Sequence, residues 1–126
     1  MVQEHHKDPT KPINPYYFIS TLQSMLAGND VIVCGNATAC IVPFQTSHIK
    51  KGQQLFSNSG SASMGYDLPA SIGAAIADPS KRVVCFAGDG SILMNLQELQ
   101  TIKHNNLNIK IIVLDNNGYL SDRKSV

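Results

Sequence analysis

Two stretches of this chain constrain its fold more than any others. Arg82-Val83-Val84-Cys85-Phe86-Ala87-Gly88 and Ile109-Lys110-Ile111-Ile112-Val113-Leu114-Asp115-Asn116-Asn117 each hold a consecutive apolar run, Val83–Ala87 and Ile111–Leu114, where a half-buried strand would alternate. A strand that is apolar on both sides must be covered on both sides, which is the mark of a parallel sheet between layers of helix. Helical and strand-like segments alternate through the rest of the chain, as that architecture requires. Asn14-Pro15 reads as an N-cap followed by proline in the first helical turn, with Tyr17, Phe18, Leu22, Met25 and Leu26 at helical spacing and Gly28 as the stop. A short strand, DVIVCGN, precedes TACIVPFQT, a helix that Pro43 is expected to disturb. QQLFSN is a further strand, SGSASMGYDLP a Gly/Ser loop in which Asp67 caps the next helix, and PASIGAAIAD that helix. ILMNLQELQTIKHNN is expected to form one amphipathic helix, with Ile92, Leu96, Leu99 and Ile102 on its apolar stripe. The fold class is α/β, a parallel sheet with helices on both faces.

Composition agrees. Hydrophobic residues make up 43% of the 126 residues and charged residues only 15%, which favours a buried sheet over disorder. The formal net charge is +1 and no basic stripe appears, so nucleic acid is not an expected partner. Nothing resembles a signal peptide or a membrane span, and the three cysteines form no CxxC pair. These features point to a cytoplasmic protein with reduced thiols. Residues 1–13 read as a flexible N-terminal segment, in which His5 and His6 are solvated, and residues 14–126 as one domain. His48 and His104 lie in polar stretches and take no role.

In such sheets, ligands bind beyond the carboxyl ends of the strands. Four strand ends here are rich in small and polar residues: Gly35-Asn36, Asn58-Ser59-Gly60, Gly88-Asp89-Gly90 and Asp115-Asn116-Asn117-Gly118. Turn chemistry explains part of this, and for Asn36 it competes evenly with a binding role. It does not explain a carboxylate between two glycines. A dinucleotide fingerprint needs a third glycine, which Gly88-Asp89-Gly90-Ser91-Ile92-Leu93 lacks, although Asp115 could imitate its ribose-binding acid. No GK[ST] exists for a Walker loop. A divalent cation between protein and phosphates resolves the difficulty. Mg²⁺ takes one or two protein carboxylates together with phosphate oxygens, and Asp89 supplies one such ligand. The helix start at Gly90-Ser91 offers N–H groups to the same phosphates. A neutral amide from the next strand end, at Asn116-Asn117, would complete the oxygen set without adding charge.

The sequence GDG, followed one crossover helix and one strand later by NN, resembles the cofactor motif of thiamine-diphosphate-dependent enzymes. The upstream NSGSASMGYDLPASIGAAIA resembles the segment before that motif in acetolactate-synthase-like members. The resemblance covers Asn14 to about Ser121. It implies that Asp89 and Asn116 bind Mg²⁺ through side-chain oxygens and Gly118 through its carbonyl, and that the cation holds the diphosphate of thiamine diphosphate. It implies diphosphate contacts from Gly88, Gly90 and Ser91, and from the loop holding Asn36, Ala37 and Thr38. Met64 resembles the bulky apolar residue that props the cofactor in a V shape, with its 4′-amino group beside the thiazolium C2. A flexible thioether suits that wedge. Backbone near Ala62, Ser63 and Met64 would hold the aminopyrimidine edge. Asn95 and Glu98, on the helix after GDG, could support the site from behind, but a solvated helix face is the preferred reading.

The activity implied is that of a 2-oxo acid decarboxylase or carboligase (a lyase or transferase), similar to the acetolactate synthase large subunit. In this family an activating glutamate comes from a separate pyrimidine-binding domain, generally on another subunit of a homo-oligomer. Glu4 and Glu98 are the glutamates here, and neither matches it. The family usually continues with an IRxTQ-like stretch. Here Asp122 stands where an apolar residue is expected, and DRKSV ends the sequence. The expectation is therefore a fragment of a pyrophosphate-binding domain that binds the cofactor but is inactive alone.

Overall fold

The structure, a computed structural model, describes residues 12–119. The expectations for Glu4, His5, His6 and Asp122, and nearly all of the N-terminal segment, lie outside the described residues. The elements in chain order are α1 (Pro15–Met25), β1 (Val31–Cys34), α2 (Thr38–Thr46), β2 (Gln54–Ser57), α3 (Asp67–Ala77), β3 (Val83–Gly88), α4 (Asp89–Leu93), α5 (Glu98–His104) and β4 (Ile109–Leu114). The strands form one parallel sheet in the order β2-β1-β3-β4. The expected α/β class with a parallel sheet is what the chain adopts.

Consecutive strand side chains point to opposite faces, and the core divides accordingly. Val31, Val33, Val83, Cys85 and Ala87 pack with Leu68, Ile72 and Ala75 of α3 and with Ile92 of α4. Ile32, Cys34, Val84 and Phe86 pack on the other face with Ile19 of α1 and with Ala39 and Val42 of α2. Five consecutive residues of β3, Val83–Ala87, are buried, so both faces of the strand carry core. This is the physical reason that its sequence is apolar without alternation.

The ends of the sheet opposite the strand tips are tied by charge. Asp30, 1% exposed, accepts from Arg82 Nε at 3.0 Å, from an Arg82 terminal nitrogen at 2.5 Å and from the Ala27 N–H at 2.7 Å.

Four local expectations are corrected. Helix α1 ends at Met25, before Gly28. Its last carbonyls have other partners, because Lys50 Nζ donates to the Ser24 and Leu26 oxygens and Gln53 Nε2 to that of Ala27. Helix α2 runs through Pro43 to Thr46. The Pro43 carbonyl accepts from Gln23 Nε2 of α1, and Thr46 Oγ1 donates to the Val42 carbonyl. Asp67 is the first residue of α3 and is fully buried, while Tyr66 is the cap. The single helix expected after Gly90 is two. Between α4 and α5 the turns tighten into i to i−3 bonds, from Met94 to Ser91, Asn95 to Ile92, Glu98 to Asn95 and Leu99 to Leu96. The phase of the stripe changes there. Ile92 is buried, but Leu96 and Leu99 are 45% and 37% exposed.

The three cysteines are free thiols. Burial, with a smaller contribution from the neighbouring thiols, pushes Cys34 far up. Burial pushes Cys85 up to about 12, against a hydrogen bond with Ser71 that acts the other way. Raising the pH favours thiolate only as it nears the pKa, so both thiols stay protonated and inert even at about pH 9. A colorimetric thiol assay of the native chain should titrate Cys40, which is partly exposed, and reach the other two only after denaturation. Three rapidly reacting thiols in the native state would contradict this core.

Candidate functional site

The strand order places the site. From β1 the chain moves outward to β2, then crosses back to β3 on the other side of β1. The order reverses between β1 and β3, and the loops leaving those two strands diverge to opposite faces and open a crevice. A cavity of about 1010 Å³ lies there. Its lining comes from Asn36–Ala39 after β1, Gly88–Gly90 at the end of β3, Val113–Asn117 at the end of β4, and Met64 from the loop before α3. Pro12, Ile13, Pro15 and Phe18 border it on the α1 side. The size is at the upper end for small-molecule sites, which run to roughly 1,000 Å³.

The register explains why Asp89 and the β4 loop meet. Gly88 pairs with Leu114, so Asp89 and Asp115 leave the sheet side by side. The β4 loop then folds back. Asn117 and Gly118 both take positive φ, 62° and 103°, and the Gly118 N–H donates to Asp89 Oδ2 at 2.6 Å. Asp115 Oδ1 accepts from the Asn117 N–H at 2.8 Å and so closes the turn. Tyr119 lies against Gly90, where an added Cβ would sit 2.7 Å from the ring. A side chain at position 90 would push the half-exposed Tyr119 ring aside. Partial burial acts to raise the Asp89 carboxyl, but hydrogen bonds from the Gly118 and Gly90 backbone and the contact with Asp115 outweigh it and hold Asp89 below the ordinary aspartate value. Asp89 is therefore an anionic oxygen donor at neutral pH.

Of the residues singled out from the sequence, Asn36, Thr38, Met64, Gly88, Asp89, Gly90 and Asn116 line this one cavity. Gly118 adjoins it through its bond to Asp89. Ala62 and Ser63 are exposed and off the lining, in a turn closed by the Ala62 N–H to the Asn58 carbonyl (2.7 Å) and by Asn58 Nδ2 to Ser63 Oγ (3.1 Å). Ser91 is 2% exposed, and its hydroxyl points away from the cavity to donate to Asp67 Oδ2 at 2.5 Å. The hydroxyl is thus engaged within the protein, and the expected phosphate contact of Ser91 is one of backbone N–H. Asn95 is not a solvated residue, because its Nδ2 donates to the Gly65 carbonyl at 2.5 Å. Glu98 opens α5 and is off the lining.

Ala37 was legible only as a loop residue. It has φ 48° and ψ −130°, a conformation that glycine adopts far more readily, at the cap of α2 and on the cavity wall. Ala37→Gly should therefore stabilise the ligand-free chain by about 1 kcal/mol, a rise of roughly 4 °C in Tm, since relief of strain exceeds the added chain entropy. A lower Tm would contradict the strain.

The donor set fits a hard divalent cation. An ionised carboxylate, an amide side chain and a glycine carbonyl are all oxygen donors, and they stand at two adjacent strand ends on or beside the cavity. Residues 35–124 match the family described as thiamine pyrophosphate enzyme, C-terminal TPP binding domain. The chain belongs to this family. Among curated relatives, it is 35% identical over 105 residues to acetolactate synthase isozyme 1 large subunit of Escherichia coli K12, covering 83% of this chain and 19% of that protein. It is 41% identical over 104 residues to acetolactate synthase 3, chloroplastic, of Brassica napus, and 40% identical over 104 residues to acetolactate synthase, chloroplastic, of Arabidopsis thaliana. Each of these plant matches covers 82% of this chain and 16% of the relative. The chain thus spans less than a fifth of the length of these relatives. The thiamine-diphosphate-binding domain is the part they share, and the cavity at the strand ends is where its motif residues gather. No described helix is long and apolar enough to cross a membrane.

Proposed function

We propose that the chain binds thiamine diphosphate through Mg²⁺, as the diphosphate-anchoring part of a 2-oxo acid decarboxylase or carboligase resembling the acetolactate synthase large subunit. The observation that carries this reading is the meeting of Asp89, Asn116, the Gly88–Gly90 turn and Met64 on one cavity at the strand-order reversal. Asp89 and Asn116 hold the cation with side-chain oxygens, and Gly118 holds it with its carbonyl. The Gly88–Gly90 turn and the Asn36–Thr38 loop receive the diphosphate. Met64 supports the bend between the two rings. When bound, thiamine diphosphate supplies a carbon nucleophile for breaking and making bonds next to a carbonyl.

The chain alone binds without turnover. Glu98 is the one glutamate among the described residues and is off the cavity, which supports an activating glutamate supplied by a pyrimidine-binding domain. Ile76, Leu93, Met94 and Leu96 expose apolar surface that supports such a partner, in a homo-oligomer. The free thiols support a reducing, cytoplasmic setting. Thermal melts with Mg²⁺ and thiamine diphosphate, separately and together, test the binding. Saturation at about a hundred times Kd adds about 2.7 kcal/mol and raises Tm only when both are present. Equal shifts with thiamine diphosphate alone would remove the metal from the reading.

A further inference from the structure

We propose that Asp67 and Asn95 are positioning residues for Met64, acting through a buried latch that joins the Met64 loop to the Gly88–Gly90 turn. The latch is continuous. Asp67 Oδ2 accepts from Ser91 Oγ at 2.5 Å, and the same Ser91 oxygen accepts the Gly65 N–H at 2.8 Å. The Gly65 carbonyl, at the other end of that residue, accepts from Asn95 Nδ2 at 2.5 Å. Gly65 is buried and follows Met64 directly. Both of its backbone polar groups are therefore held by side chains of the segment that begins at the metal-binding turn. Its φ of 77° demands glycine, and an added Cβ would meet Asn95 Nδ2 at 2.7 Å and Met94 Cβ at 3.0 Å.

Asp67 anchors the arrangement from the other side. It is fully buried, is fixed by the Leu68 N–H to its Oδ1, and packs so closely on the β1 exit that a Cβ on Gly35 would lie 2.8 Å from Oδ2. Neither Asp67, Ser91, Gly65 nor Asn95 lines the cavity, whereas Met64 does. Buried hydrogen bonds that reach no ligand but fix the residue beside a ligand-lining side chain act on placement. The latch sets how far Met64 stands from the diphosphate end, and so which molecule spans the two. This inference rests on the thiamine diphosphate reading of the cavity.

The test compares the wild-type chain with Asn95→Ala and Asp67→Ala. Mg²⁺-dependent affinity is measured by calorimetry for thiamine diphosphate and for inorganic pyrophosphate. The methyl resonance of Met64 is followed in the ligand-free chain, with exposed Met25 as the internal reference. Each variant should lose about tenfold in thiamine diphosphate affinity, the order expected for one buried bond, while pyrophosphate stays within about twofold. The Met64 resonance should move toward that of Met25 before any ligand is added. Equal losses for both ligands, or an unmoved Met64 resonance, would overturn the latch. Should the buried Asp67→Ala variant fail to fold, half-buried Asn95→Ala gives the same readouts. A wild-type chain that binds pyrophosphate but not thiamine diphosphate would sink the cofactor reading, and the latch would then be decided by the Met64 resonance.

Discussion

Asp89→Ala is expected to lower the affinity for thiamine diphosphate in the presence of Mg²⁺ by at least about a hundredfold, roughly 2.7 kcal/mol. Asp89 is the anionic donor among the three oxygen ligands assigned to the cation, and the diphosphate carries negative charge of its own. Without the carboxylate, the cation loses its charged anchor and the phosphates lose the cation. The same change removes the acceptor of the Gly118 N–H, so the β4 loop also loosens. Asp89→Asn separates these effects. It keeps an oxygen for Gly118 and removes the charge, so it should fall between wild type and alanine. Without Mg²⁺ the ionised Asp89 carboxylate faces the diphosphate as a like charge, so Asp89→Ala and Asp89→Asn should then bind no more weakly than wild type, as read by calorimetric titration.

Arg82→Ala carries the largest expected effect on stability, about 2–4 kcal/mol. The Asp30 side chain is 2% exposed and the Arg82 side chain 39%, so water can replace part of the guanidinium but cannot fully rehydrate the carboxylate. Of the three donors to Asp30, only the Ala27 N–H would remain. The backbone couples the loss to the sheet, since the Val31 N–H donates to the Arg82 carbonyl and the Gln54 N–H to that of Asp30. Urea unfolding should report the loss. Lys81→Ala, which removes a surface pair with Asp78 at 3.6 Å, should leave the unfolding midpoint nearly unchanged in the same assay. The Asp30–Arg82 pair lies at the far end of the strands from the cavity, so cofactor affinity in folded Arg82→Ala should match wild type.

What could be read from the sequence depended on how local the determining physics is. The strand β3 and its exit at Asp89 were legible because burial on both faces leaves a continuous apolar run and because a carboxylate between glycines has few structural uses. That Asn116 lines the same cavity was legible because β3 and β4 are joined by one crossover unit and end side by side. The break between α4 and α5 was not. The apolar spacing of Ile92, Leu96, Leu99 and Ile102 suits one helix, and tightening at Met94–Leu99 accompanies the bond from Asn95 to Gly65, thirty positions away in sequence. Asp67 looked like a cap, and the Ser91 side chain carried no signal beyond its place at a helix start. Their partner is each other, across 24 positions. Arg82 and Asp30 are 52 positions apart and bear no local signature at all.

The central claim is that Asp89 makes a cation, and through it a diphosphate, welcome at the strand ends. Calorimetric titration of thiamine diphosphate into the wild-type chain, with Mg²⁺ present and then with the metal chelated, tests it most directly. The account predicts saturable binding with Mg²⁺ and loss of at least about a hundredfold in affinity without it. Binding of equal strength in both conditions would contradict it.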